Sequence, residues 1–215
     1  YSYSESSDLP YNNSWCYSAS QQLYRSDELN IEDVAKIESV AFKSASENLN
    51  ESYIQIYMKN TSKSSYIEAA EWVPVTANDK VYEGYIHTTG LDEWSTIELT
   101  TPFIYTGGHV LVCVNIGVEY YLSSNEQDQF YTYSPSTTSA YSCTIRSNER
   151  IDIPNVPTEL LENGSVGPQK NQIKFVYSQK KEKINANFES IDMGEVALGE
   201  YWTEKEEASV NVTIG

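Results

Sequence analysis

The chain has 215 residues, enough for one substantial domain or one domain plus part of another. Lys and Arg number 14 against 31 Asp and Glu, a net charge of −17 that repels nucleic acid and anionic membrane surfaces and excludes nucleic acid as a partner. No apolar run approaches the roughly 20 residues that span a bilayer, so membrane insertion is not expected.

Apolar residues make up 40% of the chain, and 18 Tyr and 4 Trp add large amphipathic area that suits strands better than helices. Abundant Ser, Thr, Asn and Tyr with sparse Lys indicate an exported protein. Residues 1–13 are polar and read as a loosely held lead-in. WCYSASQQLY (15–24) alternates and predicts the first strand, followed by a polar loop over 25–33 with Leu29 and Ile31 tucked inward. In VAKIESVAFK (34–43) neither face is purely polar, which predicts a strand with a locally irregular period. SYIQIYMK (52–59) is cleaner, with Ile54, Ile56 and Met58 alternating with Tyr53, Gln55, Tyr57 and Lys59. Residues 60–79 are mostly loop, with one or two helical turns over YIEAAEW (66–72). VYEGYIHTT (81–89) predicts a strand with Gly84 as a bulge.

WSTIELTTPFIYTGGHVLVCVN (94–115) is the organising stretch. A strand led by Trp94, Ile97 and Leu99 is expected to reach a turn at Pro102–Tyr105, and Thr106-Gly107-Gly108 breaks the chain. Val110–Val114 is the most apolar run, short, β-branched and bounded by turn residues, as a central strand buried on both faces requires. Further strands are expected over 130–133, 140–146 and, after a Pro/Asn/Gly-rich excursion at 152–169, a closing strand over 171–178. Strands of five to nine residues without helical periodicity argue for an all-β fold, an antiparallel β-sandwich or jelly roll. The organisation is a lead-in at 1–13, the sandwich at 14–178, a charged linker at 179–183 and a β segment at 184–215. That segment is too short for a core of its own, so it either begins a second β-module or docks on the first.

SASQQLY, IESVAF, IQIYMKNTSKSSY, WVPV, VYEG and WSTIELTTPFIYTGGHVLVCV, in that order, resemble the jelly-roll (galactose-binding-like) modules of large surface adhesins and secreted multi-domain proteins of the Bacteroidetes. The tail FESIDMGEVALGEYWTEKEEASVNV is similar to the opening of the immunoglobulin-like modules that follow in such proteins. The resemblance implies an extracellular or cell-surface setting, neighbouring domains in the same chain, and a binding or adhesion role toward a glycan or a host or cell-surface protein. It supplies no catalytic residues.

Read from the residues, the same role is expected at the loops or an exposed sheet face, where aromatic rings stack on ligands. The ligand-binding candidates are Tyr120 and Tyr121 in the long acidic segment, with Tyr131 and Tyr133 on the strand after it. No cofactor is expected. Ca²⁺ is compatible with the abundant carboxylates and carbonyls, but no ligand set is assigned. His87 and His109 lie in no recognised catalytic motif, and acid pairs such as Asp92 with Glu93, or Glu126 with Asp128, are solvated loop charges unless a glycosidase geometry joins them. The chain is therefore expected not to be an enzyme, the alternative to binding being a structural spacer. Cys113 reads as a small packed hydrophobe, and Cys16 with Cys143 is the candidate disulfide, requiring their strands to be neighbours.

Overall fold

The structure, a computed structural model, describes residues 2–6, 8–32, 34–47, 50–117, 126–179 and 206–210. In chain order the elements are β1 (Ser2–Ser6), β2 (Tyr17–Tyr24), helix α1 (Ser26–Leu29), β3 (Ala35–Lys43), β4 (Glu51–Thr61), β5 (Lys80–His87), β6 (Trp94–Tyr105) and β7 (His109–Gly117). They continue with β8 (Phe130–Ser134), β9 (Ser142–Ser147), helix α2 (Thr158–Glu162), β10 (Ser165–Gly167), β11 (Lys170–Asn171), β12 (Ile173–Gln179) and β13 (Glu206–Val210). All strand pairs are antiparallel. The main sheet runs β10-β9-β2-β7-β4-β5, a second runs β13-β12-β3-β6, and a small third sheet, β1-β8-β11, closes one end. The chain is an antiparallel β-sandwich.

β7 is the centre. Val110, Val112, Val114 and Ile116 point into the layer between the two large sheets, where they meet Ile37, Val40, Phe42, Ile97, Phe103 and Phe175. Leu111 and Cys113 point the other way and are equally buried, packed with Ala19, Leu23, Tyr57, Trp72, Ile145 and Ile153. The second layer exists because residues 62–79 and 148–166 fold back over the outer face of β2, β7 and β9. That is why the run over 110–114 is continuously apolar instead of alternating. At about 1.5–3 kcal/mol per fully buried aliphatic side chain, these positions dominate the fold's stabilisation.

β3 shows the expected irregular period, and the cause is a bulge at Glu38. Both neighbours skip it: Ile37 pairs with Phe103 and Ser39 with Glu98 on one side, while Tyr177 pairs with Ile37 and Val176 with Ser39 on the other. The extra residue shifts the alternation, so Ala35 and Ile37, then Val40 and Phe42, all face the core.

Several sequence expectations differ from the structure. No turn forms at Pro102–Tyr105: β6 runs through to Tyr105, where Thr106-Gly107-Gly108 turns with both glycines at positive φ, 98° and 80°. Leu99–Pro102 do leave the ladder with β3, and Thr100 Oγ1 donates to the Val81 carbonyl at 2.9 Å, closing the sandwich edge against β5. Proline is tolerated there because β6 is an edge strand. The β5 bulge is at Val81, between the Ile56–Tyr82 and Tyr57–Lys80 pairs, whereas Gly84 pairs regularly with Ile54. A Cβ on Gly84 would meet the Tyr82 hydroxyl at 2.8 Å, so this glycine serves close packing.

Leu9–Asn13 are not a loose lead-in: Leu9, Tyr11, Asn12 and Asn13 are buried, and Tyr11 packs edge-on against Phe130 at 5.4 Å. Leu29 and Ile31 are buried as expected. Glu206–Val210 form β13 on the edge of β12, while 180–205 and 211–215 lie outside the described residues. All three cysteines are free. β2 and β9 are indeed neighbours, but Cys143 faces Gln21. That is five residues, roughly 16 Å, along β2 from Cys16, far beyond the ~6 Å between bridged Cα atoms.

Candidate functional site

Of the four tyrosines singled out in the sequence, Tyr131 and Tyr133 fall among the described residues. Tyr120 and Tyr121 lie outside the described residues. Tyr133 is only 2% exposed, and its hydroxyl donates to Glu28 Oε1 at 3.4 Å. Tyr131 is half-buried, with Lys43 Nζ 5.1 Å from its ring centre; desolvation and then the neighbouring Asp92 carboxylate raise its phenol pKa.

What covers Tyr133 is a buried lysine. Lys170 Nζ donates to Glu28 Oε2 at 2.6 Å and to the Leu23 carbonyl at 2.8 Å, and sits 4.8, 5.2 and 5.5 Å from the rings of Tyr141, Tyr24 and Tyr133. Burial pulls its pKa down to about 8, against the partial support of Glu28. The cluster holds α1 against β11, with the Lys170 side chain itself closed to solvent. Asp128 is likewise internal. Its carboxylate accepts from Tyr11 Oη at 2.9 Å and from the amides of Asn13 and Asn50 at 2.8 Å each, tying 11–13 to 126–129. Burial raises its pKa despite those donors. His109 and His87 sit at opposite ends of β4, beside Thr61 and Glu51, roughly 33 Å apart along the strand. His109 Nδ1 accepts the Ser26 amide at 3.1 Å. Among the described residues no three His, Cys, Asp or Glu side chains converge as metal ligands.

The open, chemically organised surface is elsewhere, on the outer face of the main sheet where the covering segments stop short of β4, β5 and the end of β7. Because strand side chains alternate, inward Ile54, Ile56 and Met58 force Tyr53, Gln55 and Tyr57 outward. Antiparallel register then lines them up with their neighbours in rows. One row is aromatic: Tyr53 pairs with Tyr85 on β5, and Tyr17 pairs with Gly117 on β7, next along from the Ile54–Ile116 pair. The Tyr53 and Tyr85 rings meet edge-on at 5.1 Å and are 38% and 56% exposed, an unusual amount of free aromatic surface. A Cβ at Gly117 would lie 3.1 Å from the Tyr17 ring, so any other residue there would push the ring back by a few tenths of an ångström.

The next row is polar: Asn115, Gln55 and Glu83 face one another across β7, β4 and β5. Asn115 Nδ2 donates to Gln55 Oε1 at 3.1 Å, and Gln55 Nε2 donates to Glu83 Oε1 at 2.9 Å. The same Glu83 oxygen accepts from Tyr53 Oη at 3.2 Å, and Lys80 pairs with its other oxygen. Lys80 and then Gln55 hold the Glu83 carboxyl below its ordinary pKa, so it stays an acceptor. The third row begins with Tyr57, whose phenol burial pushes up to about 12. Asn115 is 8% exposed, and its Oδ1 has no donor. Arg25 Nε, Ser46 Oγ and Trp72 Nε1 are also buried without a hydrogen-bond partner among the described residues.

These rows floor a groove. Its first compartment, about 240 Å³, lies between Tyr17, Tyr53, Asn115 and Arg150. The second, about 470 Å³, continues over Tyr57 toward Asp152 and Pro154 and shares Gln55 and Arg150 with the first. From the Tyr53 row to the Tyr57 row is roughly 13 Å at ~3.3 Å per residue. Exposed aromatic rings beside a line of amide and carboxylate groups can stack on the CH face of a sugar ring and pair with its hydroxyls.

Sequence reasoning missed Tyr17, Tyr53, Tyr85, Asn115 and Arg150 as site residues. The signal for Tyr53 was present in the alternation over 52–59. Nothing local marks Arg150 or Asn115, because cross-strand register brings them together. Compared with known protein families, curated proteins and solved structures, the chain matches none.

Proposed function

We propose that the chain is a non-catalytic carbohydrate-binding module and that the groove on β4, β5 and β7 is its ligand face. The observation that carries this reading is the register of the rows: exposed Tyr53 and Tyr85 beside Asn115, Gln55 and Glu83, on a rigid sheet. Sheets position such side chains with little residual motion, so ligand ordering costs little beyond the ligand's own freedom. The export-type composition and the resemblance to adhesin modules support a place outside the cell, as one unit of a larger surface protein.

The test is a glycan array probed with the whole chain, with and without a calcium chelator. Saturable binding that survives chelation and is lost in Tyr53→Ala/Tyr85→Ala is the expected result. A blank array from correctly folded protein overturns the reading in favour of a spacer that presents neighbouring domains.

A further inference from the structure

Arg150 is the exception among the cations of the described residues. Among the described residues every other Lys and Arg has an ion-pair, carbonyl or ring partner: Lys36 with Glu38, Lys43 with Asp92, Lys63 with Glu71, Arg146 with Asp8, and so on through the fold. Lys59 donates to the Pro74 carbonyl, and Lys174 lies over Trp94. Arg150 has none of these, although the net charge of −17 supplies acidic side chains in excess. Its position is equally particular, since among the described residues it is the one charged side chain lining both compartments of the groove. The acids that line the groove with it are already engaged, Glu83 by Lys80 and Asp152 by the Asn155 amide at 2.8 Å.

An unpaired guanidinium in a concave site is a fork of donors in the geometry that fits a carboxylate bidentately. Tyr17 and Tyr53 line the same compartment, as does the buried Asn115 amide. Two demands are thus made of one ligand: a ring face to stack and a carboxylate. We infer that the groove selects a carboxylate-bearing sugar residue, with Arg150 as the specificity-determining group that pairs with the acid while the ring lies on Tyr53. This rests on the carbohydrate reading above and names its substrate class. The acidic remainder of the surface works against polyanions at long range, which favours recognition of isolated acidic residues over densely charged polymers.

The test is retention on a surface carrying matched pairs of oligosaccharides, each uronic- or sialic-acid-bearing glycan beside its carboxyl-reduced or desialylated counterpart, probed with the wild-type chain, Arg150→Gln and Arg150→Lys. The expected result is at least tenfold stronger retention of acidic members, abolished in Arg150→Gln and only partly kept in Arg150→Lys, with unchanged thermal melting. Equal binding of both members, indifferent to Arg150→Gln, overturns the acid selectivity and leaves the carbohydrate face standing. Binding of neither member by folded protein overturns both.

Discussion

Replacing Lys170 by Met separates a buried cation from the packing around it, and pH makes the effect measurable. Lys170 is fully buried, and its pKa falls from 10.5 to about 8. A base with a depressed folded pKa binds its proton less tightly in the native state than in the unfolded chain. Between pH 8 and 10.5 the unfolded state therefore holds the extra proton, and stability rises with pH. The full shift is worth about 3 kcal/mol at 1.36 kcal/mol per unit, of which about 1 kcal/mol develops between pH 8 and 9. Above pH 9 the buried thiols of Cys113 and Cys143 act oppositely, because burial raises their pKa values and their stabilisation is lost as the unfolded thiols ionise. Those groups are common to both proteins and cancel in a difference.

Urea unfolding of wild type and Lys170→Met at pH 7, 8 and 9 is the assay. At pH 7 the variant is expected to lose up to about 3 kcal/mol, since Glu28 remains 11% exposed without its ammonium partner, and Glu28→Gln/Lys170→Met is expected to recover much of it. Wild type then gains about 1 kcal/mol on the variant from pH 8 to 9, roughly 2–4 °C in Tm for a domain of this size. A difference that stays flat over pH 7–9 refutes the buried, pKa-depressed lysine.

Val112→Asp places an unpaired charge at the fully buried centre of β7 and is expected to abolish cooperative melting, whereas Ile104→Asp, 43% exposed on β6, should change stability by no more than about 0.5 kcal/mol; circular dichroism melts read both. Alkylation under native conditions should modify Cys16 alone, with Cys113 and Cys143 reacting only after denaturation, and a mass two units low for a Cys16–Cys143 peptide pair would contradict the register of β2 and β9. Gly117→Ala pushes a methyl group into the Tyr17 ring and should weaken glycan retention several-fold while costing about 1 kcal/mol or less in stability; unaltered retention would remove Tyr17 from the site.

The fold was legible where one residue pattern has one physical solution. Val110–Val114 could be continuously apolar only if both faces were covered, and Ile54, Ile56 and Met58 could alternate with tyrosines only on a half-wet strand. Even the irregular period of 34–43 had a structural meaning, the bulge at Glu38. Pro102 misled because a proline in an apolar run reads as a turn, whereas an edge strand accommodates it. The site was less legible. Tyr133 and Tyr53 look alike in sequence, yet Lys170, 37 residues beyond Tyr133, buries one, and the outer face of β4 leaves the other free. Asn115, Gln55 and Glu83 are separated by 28 to 60 residues and become one row only through register. Lys170 itself reads as a surface lysine beside a proline-rich loop; three distant tyrosines and Glu28 decide otherwise.

Calorimetric titration of the strongest array ligand into wild type, Tyr53→Ala/Tyr85→Ala and Tyr131→Ala tests the ligand face most directly. Loss of two stacking rings, each worth about 1 kcal/mol or more, predicts at least a tenfold rise in Kd for the double variant, with Tyr131→Ala binding like wild type. Wild-type affinity in the double variant, or loss of binding in Tyr131→Ala alone, would contradict the assignment of the outer face of β4 and β5.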